Sequence, residues 1–194
     1  MKPNIPLTAT LPSDRELRVS REFDAPRDQV FKAYTDPALV QRWLWGPDDW
    51  PMAECEIDLR VGGTYRYVWR NAQLGDMGMG GKYLEIDPPQ RLVVTELFDQ
   101  DWTEGETVCT TTFEELDGGA RTRVTTTVLY SSKTARDNAM KTPMLDGWGI
   151  CFDRLDARRP HYAAQRLPWR QAQGAPKPPA HRPARSARAA SSAA

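Results

Sequence analysis

Histidine is nearly missing from this chain: only His161 and His181 occur, both in a C-terminal stretch that does not pattern as folded. A domain without histidine has no imidazole base or imidazole metal ligand, so neither a Ser-His-Asp nor a Cys-His pair can be assembled in it. Cysteine is also sparse. Cys55, Cys109 and Cys151 lie far apart with no CxxC pair, so neither a disulfide framework nor a Cys-rich zinc site is expected. Reduced thiols suit a reducing compartment, and the expected location is cytoplasmic. No run approaches the roughly 20 apolar residues of a membrane helix, and MKPNIPLTATLPSDRE has no apolar signal core, so neither membrane insertion nor export is expected. Acidic residues are absent from residues 158–194, which carry 8 Lys/Arg, whereas residues 1–157 hold 18 Lys/Arg against 26 Asp/Glu. The first part is therefore at −8 and the second at +8. An acidic domain argues against nucleic acid as its main partner.

Residues 1–14, rich in Pro and Thr, read as an unpacked leader. Leu17, Val19 and Phe23 keep a strand's period and predict a strand over 16–23. Pro26 sits where a first helical turn tolerates it, with Val30, Phe31 and Tyr34 on one face. Asp36-Pro37 repeats that start signal, and Leu39, Val40 and Trp43 make a second short amphipathic helix. From about 53 to 130 the texture is β: Ala53–Leu59 alternates, Gly62-Gly63 offers a turn, and Tyr65, Tyr67 and Trp69 share one face. Further strands are expected near 79–86, 91–98, 106–115 and 121–130. Their short connections, among them Pro88-Pro89 and Asp117-Gly118-Gly119, imply an antiparallel meander. Met140, Met144, Trp148, Cys151 or Phe152, and Leu155 then recur at helical spacing through Arg158, with Pro143 kinking that helix or starting its main part. Residues 159–194 are Ala, Pro, Arg, Gln and Ser, too poor in apolar surface to offset ordering, and are expected to be a disordered basic tail. The class is α+β: a curved antiparallel sheet around a long C-terminal helix, two short helices after the first strand, one domain over 15–158.

Few polar residues look chemical. The glycines of GDMGMGG fit neither a dinucleotide nor a Walker pattern, and a hairpin entering the next strand is the simpler reading. Met77 and Met79 beside them are candidates for a cavity mouth or for ordinary core. Asp58 and Arg60 sit two apart on one strand face, either as a surface ion pair or as polar anchors toward a cavity. Glu85 and Glu96 are isolated candidates for a cavity acid, with the choice dependent on strand register. Seven tryptophans and six tyrosines are many for this length. Trp43 and Trp45, with Trp50, cluster near the second helix; Tyr65, Tyr67 and Trp69 form a stripe; and Met144 and Trp148 lie on the helix facing it. Rings with polar tips suit a pocket for a flat ligand; any single ring is more readily core, but the set points to a cavity lined by some of them. Thr95, Thr111 and Thr125 are candidate hydroxyls.

FDAPRDQVFKAYTDPALVQRWLWGP, EIDLRVGGTYRY, GKYLEIDPPQRLVVTE, FEELDGGARTRVTTTVLY and GWGICFDRL together resemble the START-like, Bet v 1-like (SRPBCC) superfamily. More narrowly they resemble the group named after the C-terminal domain of the activator of Hsp90 ATPase. The resemblance spans about 16–157 and implies a helix-grip fold with a cavity between the sheet and the C-terminal helix. It implies binding of an apolar or aromatic small molecule, lipid- or polyketide-like. Two alternatives stay open: a protein-interaction module acting on an Hsp90-type chaperone or another protein, and a polyketide cyclase- or hydrolase-like enzyme without a histidine base. No cofactor and no metal are expected, catalytic residues are not assigned, and a homodimer stays open.

Overall fold

A computed structural model of the chain describes residues 6–45 and 50–157. The expectations for the basic tail, with His161 and His181, lie outside the described residues. Eight strands form one antiparallel sheet: β1 Thr8–Thr10, β2 Glu16–Phe23, β3 Met52–Ile57, β4 Thr64–Asn71, β5 Gly75–Asp87, β6 Arg91–Phe98, β7 Thr107–Leu116 and β8 Arg121–Leu129. Their order is β1-β2-β8-β7-β6-β5-β4-β3. Strands β3 to β8 are thus the expected six-strand meander, and β2 closes onto β8 with Leu17 opposite Val128 and Phe23 opposite Thr122. The expectation of an unpacked leader through residue 14 is corrected at Thr8–Thr10. Those residues pair with Arg18–Ser20, and being exposed they extend the ladder without adding to the core.

Two helices occupy the β2–β3 connection, α1 Arg27–Thr35 and α2 Pro37–Val40. One residue explains why they are two. The Asp36 amide closes α1 on the Lys32 carbonyl, while its side chain accepts from the Ala38 amide at 3.0 Å to cap α2, with Pro37 in the first turn. Proline disfavours the helical conformation at the residue before it, and Asp36 is extended (φ −95°, ψ 116°), so the chain bends there. The C-terminal helix expected from Met140 onward is likewise divided. Ser132 caps α3, Lys133–Ala139, by accepting from the Ala135 amide at 3.0 Å; Pro143 then precedes α4, Met144–Ala157. Met140 therefore sits in the break, and Pro143 starts the main helix.

The core comes in two parts. The larger packs α1 and α4 on β2, β7 and β8, through Leu17, Val19, Phe31, Phe113, Val124, Phe152 and Leu155 among others. Phe23 meets Phe152 edge-on at 5.5 Å between centroids. Each such buried side chain contributes about 1.5–3 kcal/mol of transfer free energy. The smaller cluster is Val40, Tyr65, Tyr67, Trp69, Met79 and Tyr83, at the β3–β5 end of the sheet.

Candidate functional site

The inner face of the sheet is set by alternation. On β6, Leu92, Val94, Glu96 and Phe98 share it; on β7, Thr107, Cys109, Thr111 and Phe113; on β2, Leu17, Val19, Arg21 and Phe23. The two buried clusters are distinct and are joined through partly buried side chains. Leu44, Ile86 and Val94 touch both clusters, and all three keep partial exposure, as does Glu96 beside them. Trp148 on α4 and Met77 on β5 are also half-buried against the clusters.

Register decides between the two candidate acids. Tyr83 faces inward opposite Val94, and strict alternation would bring Glu85 inward after it. A bulge between Tyr83 and Glu85 intervenes, so Ile86 takes the inner face opposite Leu92. Such a bulge inserts an extra residue and reverses the facing of the next stretch of strand. Glu85 is exposed and pairs with Arg91 at 3.1 Å, so its candidacy as a cavity anchor is corrected. Asp58 and Arg60 are corrected on the same ground: they form an ion pair at 2.8 Å with side chains 47% and 71% exposed, beyond the end of β3.

Glu96 is the acid on the inner face. Burial, only partly offset by a hydrogen bond from the Cys109 thiol, pushes its carboxyl up to about 7. Its electrostatic neighbours are Tyr65 and Tyr67 on β4, Cys109 on β7 and Tyr130 after β8. Burial also drives these four groups up, so all stay neutral at physiological pH. Among the described residues no cation pairs with Glu96. The inner-face arginine, Arg21, is instead 2.7 Å from Asp153 of α4.

The stripe around Glu96 is locally built. Tyr65 and Tyr67 have centroids 5.0 Å apart, Tyr67 and Trp69 6.2 Å, Tyr65 and Tyr83 5.7 Å. The Tyr65 hydroxyl donates to the Thr95 carbonyl at 2.8 Å, and the Lys82 amide donates to the Thr95 hydroxyl at 3.1 Å. The Thr95 hydroxyl, a candidate ligand contact, thus accepts one hydrogen bond from the ladder. Tyr65 can cross β5 only because Gly81 lies beneath it, where a Cβ would overlap the Thr95 carbonyl and touch the ring. The GDMGMGG glycines are inside β5 rather than in a hairpin, which is made by Asn71 accepting from the Gln73 and Leu74 amides. At Gly78 a Cβ would overlap the Arg66–Asp99 pair, which is bidentate at 2.7 and 2.6 Å.

The other candidates distribute unevenly. Met79 is buried in the smaller cluster. Trp43 belongs to the larger one, its indole donating to the Ala33 carbonyl at 2.9 Å. Trp45 ties the α2 end to α4: the Arg154 guanidinium stacks 3.6 Å over its ring, and its carbonyl accepts from Cys151 and Arg154. Trp69 donates to the Leu44 carbonyl at 2.8 Å. Met144 accepts from the Tyr130 hydroxyl at 3.6 Å. Thr111 pairs with Thr126 at 2.9 Å, whereas Thr125 is on the outer face, with Ser20 at 3.0 Å. That outer face carries an open groove of about 580 Å³ lined by Thr8, Thr10, Thr110, Thr112 and Thr127 with Arg18.

A family model described as "Activator of Hsp90 ATPase homolog 1-like protein" matches residues 24–158, strands β3 to β8 and all four helices included. The chain belongs to this family. Solved structures agree. A Rhodobacter sphaeroides protein is similar at 31% identity and TM-score 0.74, with 82% of this chain and 100% of that one covered. A Chromobacterium violaceum protein is similar at 27% identity and TM-score 0.59, covering 73% and 95%. For a Mycobacterium smegmatis protein at 24% identity the likeness is of fold alone, at TM-score 0.67 with 78% and 96% covered. None of the curated proteins matches the chain. In this member of the Activator of Hsp90 ATPase homolog 1-like family, sequence reasoning missed Cys109 and Tyr130 as neighbours of the inner-face acid. Their alternation with Thr107, Thr111 and Val128 was the available signal. Tyr34 was seen only as a helix-face residue; its buried hydroxyl has no hydrogen-bond partner among the described residues.

Proposed function

We propose that this chain binds a small apolar or aromatic molecule between the inner face of the sheet and α4. The observation that carries the reading is the divided core: two buried clusters are bridged by the partly buried Leu44, Ile86 and Val94, with a carboxyl beside them. A globular interior packs to crystal-like density, so inner-face side chains that keep exposure mark a space the protein does not fill itself. Rings and methionines around it, with few polar groups, match the composition of small-molecule sites. A cyclase- or hydrolase-like activity in this space would depend on Glu96, whose carboxyl at about 7 suits proton transfer near neutrality. Tryptophan-fluorescence titration with a neutral polycyclic alcohol tests the binding reading. Saturable quenching, abolished when Val94→Trp fills the gap, is expected; binding of equal strength in Val94→Trp would refute it.

A second reading, binding to an Hsp90-type chaperone, draws on the family's description and on one structural feature. Leu59, Val61 and Leu84 are 42%, 63% and 49% exposed, and the loop bearing Val61 hydrogen-bonds β5 through Gly62 and Tyr83. Clustered exposed apolar side chains are a signature of protein contact. Loss of chaperone binding in Val61→Ser with Leu84→Ser, ligand binding being retained, would favour it.

A further inference from the structure

We infer that the ligand of the inner-face site carries a basic nitrogen, held as a cation against Glu96. The inference rests on the small-molecule reading above and adds the ligand's charge. It starts from the charge inventory of the inner face. Arg21 and Asp153 already neutralise each other at 2.7 Å. Among the described residues Glu96 has only uncharged company: the Cys109 thiol, which donates to it, and the hydroxyl-bearing rings Tyr65, Tyr67 and Tyr130. Its own strand offers Val94 and Phe98 on the same face, both apolar.

A carboxyl kept away from bulk water without a countercharge is costly to the fold unless it is neutral or meets a cation. The fold nevertheless leaves it reachable, because Glu96 keeps partial exposure. An anionic ligand, such as a fatty acid or an aromatic carboxylate, would put like charge against it in a poorly screened place. A neutral ring system would fill the gap and leave the acid as it is. A protonated amine does both jobs: it supplies the missing countercharge and presents its positive edge to rings whose faces attract cations. Tyr65 and Tyr67, with centroids 5.0 Å apart, border the acid on the β4 side, and Trp69 continues their stripe 6.2 Å beyond Tyr67.

Three probes sharing one ring system separate these cases: 9-anthracenylmethanol, 9-(aminomethyl)anthracene and anthracene-9-carboxylate. Titrations of the full chain at pH 8 are read by tryptophan and anthracene fluorescence. A hydrogen-bonded charge pair in such a site is worth about 1.5–3 kcal/mol, so the amine is expected to bind about 10- to 100-fold more tightly than the alcohol, with the carboxylate weakest. In Glu96→Gln the amine-to-alcohol ratio is expected to fall to within about two-fold. The wild type supplies a second readout, free of any folding effect of the substitution. Its amine-to-alcohol ratio should rise from pH 5.5 to pH 8 as Glu96 ionises, since Tyr65, Tyr67, Tyr130 and Cys109 remain neutral there. If the alcohol binds but the amine gains nothing, or keeps its gain in Glu96→Gln, the cation inference is overturned and the small-molecule reading stands. If no probe binds, both fall together.

Discussion

Replacing Glu96 by glutamine should make the protein more stable, and only at higher pH. Burial moves this carboxyl from the usual glutamate value of 4.5 up to about 7. An acid whose value is raised on folding keeps its proton in the native state and loses it in the unfolded chain. Below 4.5 both states are protonated and the residue is neutral in its effect. Between 4.5 and 7 unfolding releases a proton, so stability falls as pH rises, and above 7 the whole cost of holding a buried carboxylate is present. At about 1.4 kcal/mol per pH unit that cost is about 3 kcal/mol, which residual contact with water trims to about 2 kcal/mol. Glutamine keeps the shape and an oxygen for the Cys109 thiol but cannot ionise. Urea denaturation followed by circular dichroism should therefore show Glu96→Gln about 2 kcal/mol more stable at pH 8.5 and within about 1 kcal/mol of wild type at pH 5. Other titrating groups cancel in this difference, because Cys109 and the nearby tyrosines do not ionise in the range. A glutamine variant equally or less stable at pH 8.5 would refute the placement of Glu96 on the inner face, largely withdrawn from water.

Single contacts give further expected outcomes. Gly81→Ala drives a methyl into the Thr95 carbonyl under the Tyr65 ring and should cost about 3 kcal/mol or prevent folding, read by denaturant midpoint. Tyr65→Phe removes the donor to that carbonyl and should cost about 1–3 kcal/mol by the same assay, chiefly from the unpaired acceptor. Asp36→Ala removes the α2 cap and should cost about 1 kcal/mol in thermal unfolding, where an Asn replacement costs less. In thiol labelling at pH 8, half-exposed Cys55, raised to about 11 by burial, should react first; Cys109 and Cys151 should react only as the protein opens.

Much of the architecture was readable because it depends on short-range periodicity. The alternation over 16–23, the Asp36-Pro37 bend, the six-strand meander and the buried face of Cys151, Phe152 and Leu155 all appear where the residue pattern places them. What could not be read depends on register and on single backbone events. The bulge after Tyr83 turns Glu85 outward and brings Ile86 inward, and no residue in GKYLEIDPP announces it. The choice between Glu85 and Glu96 therefore needed the ladder. Asp58 and Arg60 looked like strand neighbours, but the strand ends at Ile57, which leaves them to pair with each other in solvent. Thr8–Thr10 escaped notice because an exposed edge strand needs no apolar period. The glycines of β5 looked like a flexible turn, yet they clear space for Tyr65 and for the Arg66–Asp99 pair. Of the aromatic candidates, Trp43 is core, Trp45 is a tie to α4, and Trp148 is half-buried against the larger cluster.

The claim that most needs a direct test is that the space between the two clusters is a binding site. Amide chemical-shift mapping of the 15N-labelled full chain during titration with 9-anthracenylmethanol locates any binding by residue. Shifts concentrated at Ile86, Val94, Glu96, Phe98 and the Trp148 indole are the predicted result. Shifts confined to the outer threonine face around Thr110 and Thr127, or a spectrum that never changes, would contradict it.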